Sequence, residues 1–136
     1  MKIFVNGTFD ILHKGHIDLL RFAKSRGSFL LVAVDTDIRV SEKKGPDRPV
    51  NNLENRVEVL KSIRYINEVK SFGSDEELTA IIKDFLPDIM VVGSDWKNNN
   101  VIGSQYAKQL IFFDRIKDYS TTKTIENFVD RRQLCR

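Results

Sequence analysis

The only two histidines of the chain, His13 and His16, stand three residues apart, with Gly15 between them. They follow a Gly7-Thr8-Phe9-Asp10 turn that comes directly after the first apolar run. Three kinds of chemistry suit such a pair. Two imidazoles at this spacing can be a structural pair that satisfies itself by hydrogen bonding. They can be two ligands of a metal, with Asp10 the nearby third donor. They can also face a phosphate, because Gly7 permits close backbone approach and the first amides of a helix bind anions. Neither a Walker lysine nor a dinucleotide fingerprint accompanies the turn, so a phosphate here needs another device. Spacing alone leaves all three readings open.

The elements that must position this pair are legible as patterns. Short, nearly continuous apolar runs occur at 2–5, 29–34, 68–72, 88–93 and 109–113. Runs of this length suit strands buried on both faces of a parallel sheet. Helical spacing separates them at 16–26, 53–64 and 75–85. The glycine of "SRGS" ends the first helix, and Ser74 or Asp75 caps the third. A final helix is expected over 120–128, capped by Ser120 or Thr121. Strand alternating with helix predicts an α/β, Rossmann-like, doubly wound, mostly parallel five-stranded sheet with helices on both faces. Residues 35–51 form the longest stretch without periodicity, and read as a long loop at the carboxyl end of a strand. Open α/β sheets bind their ligands there.

The bulk composition is that of an ordinary soluble chain. At 136 residues it reads as one domain, 1–130, with a short tail at 131–136. The net charge of +3 permits anionic substrates and gives no reason to expect nucleic acid. The single cysteine, Cys135, excludes a disulfide framework and fits a reducing cytoplasm. The start of the chain reads as a strand rather than a signal peptide. No apolar run approaches the roughly 20 residues of a membrane span, so no membrane partner is expected.

Other residues suit the same chemistry. Lys14, between the histidines, fits a phosphate contact as well as a solvated surface. Lys43 and Lys44 lie in the long stretch, as a solvated charge run or as a basic flap that closes on a phosphate. Gly93, Asp95 and Trp96 follow the fourth strand and offer backbone approach, an acceptor and an aromatic wall.

Gly7-Thr8-Phe9-Asp10 followed by His13, Gly15 and His16 resembles the H-x-G-H signature of the cytidylyltransferase-like nucleotidyltransferases. Ser120-Thr121-Thr122 resembles that superfamily's second motif, at the start of its last helix. The resemblance implies attack by a phosphorylated small molecule on the α-phosphate of a nucleoside triphosphate, with loss of pyrophosphate. It implies a catalytic set of His13 and His16, joined by Lys14 and Lys44. It implies nucleotide contacts from Gly7, Thr8, Phe9, Asp10, His16, Arg56, Gly93, Asp95, Trp96, Arg115, Ser120, Thr121 and Thr122. Magnesium accompanying the triphosphate and a homodimer are further implications. The metal ligands are left unassigned.

Two branches of the family share the motifs. "KGPDRPVNNLENR" (44–56) and "VIGSQ" (101–105) resemble heptose 1-phosphate adenylyltransferases. "GTFD", "GSDW" and Arg115 resemble glycerol-3-phosphate cytidylyltransferases, although Lys117 and Asp118 replace the glutamate and glycine of their motif. The longer match favours adenylyl transfer to D-glycero-D-manno-heptose 1-phosphate, giving ADP-heptose. The alternative is cytidylyl transfer to glycerol 3-phosphate, giving CDP-glycerol. A relative that binds nucleotide without catalysis is the alternative of another class. The heptose enzymes are often fused to a sugar kinase, which in a chain of this length is expected to be a separate protein.

Overall fold

The computed structural model describes residues 1–94 and 100–114. Five strands, β1 (Lys2–Gly7), β2 (Phe29–Asp35), β3 (Glu68–Phe72), β4 (Ile89–Gly93) and β5 (Gln109–Phe113), form one sheet in the order β3-β2-β1-β4-β5. Every neighbouring pair is parallel. Four helices connect them: α1 (Lys14–Ser25), α2 (Asp37–Lys44), α3 (Leu53–Lys61) and α4 (Asp75–Phe85). The expected doubly wound sheet is the observed one. The final helix expected over 120–128 lies outside the described residues.

Strand β2 explains why the sheet is central. Leu30, Val32 and Val34 join the cluster under α1 and α3, with Leu20, Ala23 and Leu60. Leu31 and Ala33 join the opposite cluster under α4, with Leu78 and Ile82. Alternate side chains serve opposite faces, so a strand covered on both sides is apolar throughout. Full burial of each Leu or Val contributes about 1.5–3 kcal/mol.

Two sequence expectations are corrected. Residues 37–44 of the supposed loop form α2. Thr36 caps it, its Oγ1 accepting the Arg39 amide at 3.5 Å. Lys43 and Lys44 occupy its last turn, where cations suit the helix dipole. Its buried residues are Arg39 and Val40, adjacent and one of them charged, so no 3.6-residue apolar repeat marks it. The second correction concerns Gly27. The residue that caps α1 is Arg26, in right-handed conformation. Gly27 is required because a Cβ there would sit 2.5 Å from the Met1 carbonyl oxygen.

The sheet reverses its winding between β1 and β4. β1 pairs with β2 along six residues, Lys2 to Gly7. It pairs with β4 only at Ile3↔Ile89 and Phe4↔Met90. The ladder between the two strands stops there, short of their carboxyl ends at Gly7 and Gly93. Ligands of open α/β sheets bind at such a reversal.

Candidate active site

The β1–α1 turn is built by one glycine and one strained residue. Phe9 has φ 50°, a left-handed conformation that disfavours side chains. Its ring is buried and folds back over Gly7, where a Cβ would meet Phe9 Cε2 at 3.0 Å. The ring also lies 5.4 Å from that of His16. Strain of this sort persists where surrounding packing fixes the residue.

Helix α1 then begins with an unusual cap. His13 is its N-cap, and its Nδ1 accepts the Gly15 amide at 3.0 Å. The His16 Nδ1 accepts the His13 amide at 3.3 Å. The two rings stack with centroids 3.9 Å apart. An imidazole nitrogen that accepts a backbone N–H carries a lone pair, so the proton of each neutral ring sits on Nε2. The helix end thereby sets both histidines as Nε2–H donors. No acidic residue occupies the first turn of α1, so its positive end is not neutralised there.

Of the structural, metal and phosphate readings of the histidine pair, the first is realised as the capping box. Among the described residues, no three His, Cys, Asp or Glu side chains gather as a metal site.

The remaining assigned residues fall into three groups. Gly7 ends β1, Thr8, Phe9 and the N-cap His13 lie in the turn that follows, His16 lies in the first turn of α1, and Gly93 ends the neighbouring strand β4. Lys14 is exposed and pairs with Asp18 at 2.8 Å, which keeps the Asp18 carboxyl below its ordinary range. Lys44 closes α2 as an exposed residue. Asp95, Trp96, Arg115, Ser120, Thr121 and Thr122 lie outside the described residues.

Arg56 and Asp10 are structural ties. Arg56 is 1 % exposed. Its Nε donates to the Asn51 carbonyl at 3.0 Å, Nη1 to the Thr8 carbonyl at 3.0 Å, and Nη2 to Asp37 Oδ1 at 2.7 Å. One guanidinium thus joins the β1–α1 turn, the start of α2 and the segment before α3. Asp10 directs both carboxylate oxygens to backbone amides, those of Val50 at 2.7 Å and Asn51 at 2.8 Å. Sequence reasoning missed Asp37 and Asn51. Asp37 was hidden with α2, whereas Asn51 stood in the quoted R-P-V-N segment. It also missed Asp35, at the end of β2, whose carboxyl burial pushes up against the pull of Arg39 and, more weakly, of Lys43, Arg56 and Lys44.

A family model described as cytidylyltransferase-like matches residues 4–127. The chain belongs to this family. The chain is 38 % identical over 134 residues to "Bifunctional protein HldE" of Helicobacter hepaticus, covering 98 % of this chain and 27 % of that protein. It is 41 % identical over 124 residues to the protein of the same name from Sulfurimonas denitrificans, covering 91 % and 26 %. The chain therefore spans about a quarter of the length of these relatives. Among solved structures, the lipopolysaccharide core biosynthesis protein from Thermoplasma volcanium superposes with a TM-score of 0.64 at 22 % identity, covering 88 % of this chain and 98 % of that one. A pantothenate synthetase from Thermus thermophilus does so with 0.58 at 14 %, covering 90 % and 63 %. At those identities the likeness is one of fold, and it fits the cytidylyltransferase-like sheet described above.

Proposed function

We propose that the chain transfers a nucleotidyl group from a nucleoside triphosphate to a small phosphorylated acceptor, releasing pyrophosphate. The carrying observation is the histidine capping box, which sets two imidazoles, each accepting through Nδ1, at a helix end without acidic residues in its first turn. An acceptor phosphate oxygen attacks the α-phosphorus. The bond from that phosphorus to the bridging oxygen breaks, and its electron pair leaves with pyrophosphate. The histidines donate hydrogen bonds to the charge that builds on the phosphate oxygens. A preformed donor of this kind contributes about 3–4 kcal/mol to the barrier reduction. No nucleophilic side chain is needed, since the work is positioning and charge stabilisation.

The preferred reaction is adenylyl transfer to D-glycero-D-manno-heptose 1-phosphate, giving ADP-heptose. The R-P-V-N and V-I-G-S segments and the HldE relatives support it. Thr8 in "GTFD" favours the second reading, cytidylyl transfer to glycerol 3-phosphate. Magnesium fits as a passenger of the triphosphate, which needs few protein ligands. The carboxylates of Asp10 and Asp37 are committed to backbone amides and to Arg56. When bound, the ion would neutralise phosphate charge.

Pyrophosphate release decides the matter, with ATP and CTP each crossed against heptose 1-phosphate and glycerol 3-phosphate. Release with ATP and heptose 1-phosphate is expected. Release only with CTP and glycerol 3-phosphate selects the second reading. Nucleotide binding without release from any pair removes the catalytic proposal.

A further inference from the structure

The resemblance gives Asp10 to the nucleotide, but its surroundings give it other work. Its side chain is 1 % exposed. Both carboxylate oxygens accept backbone amides of Val50 and Asn51, and its own carbonyl accepts Asn51 Nδ2 at 2.8 Å. A sealed carboxylate with these partners also repels a phosphate. What it holds is the segment 48–51. Arg48, Pro49 and Val50 form one wall of a cavity of about 460 Å³, with Asp37, Ser41 and Asn52 among the other lining residues.

Arg48 is the cation of that cavity. Its Nε is ion-paired with Asp10 Oδ2 at 3.7 Å, too long for a hydrogen bond, and its side chain stays 12 % exposed. Its Nε and Nη2 are buried with no hydrogen-bond partner among the described residues. Buried guanidinium N–H groups in that state favour any acceptor that reaches them after a small side-chain shift. Arg56 meanwhile ties Thr8 and Asn51 through their carbonyls. Segment 48–51 and the β1–α1 turn are therefore joined twice, once through Asp10 and once through Arg56. A molecule placed by one is placed relative to the other.

We propose that Asp10 is a positioning residue for the acceptor, fixing segment 48–51 so that Arg48 offers its charge to the acceptor phosphate in the adjoining cavity. This rests on the nucleotidyl-transfer reading above. Asp10→Asn keeps one carbonyl acceptor and turns an amide NH₂ toward the other backbone N–H. It should raise the KM for the phosphorylated acceptor about tenfold or more, with the triphosphate KM within about twofold. Arg48→Gln should do the same, and the double variant should fall short of the product of the two effects, as coupled residues do. A rise in the triphosphate KM instead, or no change in either KM, overturns the proposal.

Amide hydrogen exchange supplies a readout independent of turnover. Protection of the Val50 and Asn51 amides should drop in Asp10→Asn; unchanged protection overturns the proposal. If the unaltered chain turns over no acceptor, the functional reading fails on its own. Exchange and triphosphate affinity then still decide what Asp10 does: lost protection with affinity kept supports its holding role, and the reverse overturns it. Should Asp10→Asn fail to fold, Asn51→Ala removes only the side-chain tie and should give the same KM split in weaker form; its absence counts against the proposal.

Discussion

Helices α1 and α4 are nearly the same length and both start at the carboxyl end of a strand, yet they treat their N-termini in opposite ways. In α4, Ser74 Oγ accepts the Glu77 amide at 3.1 Å, and Glu77 Oε2 accepts the Gly73 amide at 2.6 Å. Asp75, Glu76 and Glu77 fill its first turn. In α1 two imidazoles replace the hydroxyl and the carboxylate, and no acid occupies the first turn. Both solutions satisfy orphan amides. Only the first cancels the positive helix end, at about 0.3–1 kcal/mol per carboxylate. The second leaves that end without a carboxylate and caps it with two imidazoles, so the two helix starts differ in charge as well as in capping group.

The largest effect should come from taking a donor from α1. His16→Ala is expected to lower turnover about 10²–10³-fold in a pyrophosphate-release assay, with triphosphate affinity falling much less. Turnover left unchanged would dissolve the contrast between the two helices. A sharper cut comes from His13→Asn, because asparagine caps a helix well but lacks Nε2. Thermal unfolding should move little while turnover drops about 10- to 100-fold, and full activity would mean that His13 serves only as a cap. Next, Lys14→Glu makes α1 resemble α4 by placing an acid in its first turn. The triphosphate KM at low salt should rise about two- to fivefold, matching the dipole energy. The smallest effect belongs to α4, where Ser74→Ala should cost about 1 kcal/mol in urea unfolding and leave kinetics untouched.

The same contrast shows why part of the molecule could be read directly. Helix α4 matched its expected span of 75–85 because Ser74 and its acids are ordinary start signals and its apolar face is uninterrupted. β2 was legible because burial on both faces leaves no polar gap. α1 starts at Lys14, before the expected residue 16, because histidine is not a usual cap residue. The pattern starts α3 correctly at Leu53 and puts Val57, Leu60 and Ile63 or Arg64 on its inner face, and Val57, Leu60 and Ile63 do pack on the core. The fully buried members are Leu60 and Arg56, and a charged side chain on an inner face looks external to any hydrophobic pattern. The histidine turn was visible as a motif. The uses of Asp10 and Arg56 were not, since most of their partners, Val50 and Asn51 for Asp10 and Thr8 and Asp37 for Arg56, lie far along the chain, and most are backbone groups that residue types do not reveal.

The uneven pairing of β1 carries one more consequence. A strand bonded along its whole length on one side and for two residues on the other behaves as a cantilever welded to β2. The turn at its tip is a stiff beam end facing a second one, since β4 is held by β5 along Ile89–Gly93, so compliance belongs to the open seam between the two strands. Microsecond-to-millisecond exchange on adding triphosphate should appear at Val91–Gly93, while Val32–Val34 stay silent in relaxation dispersion.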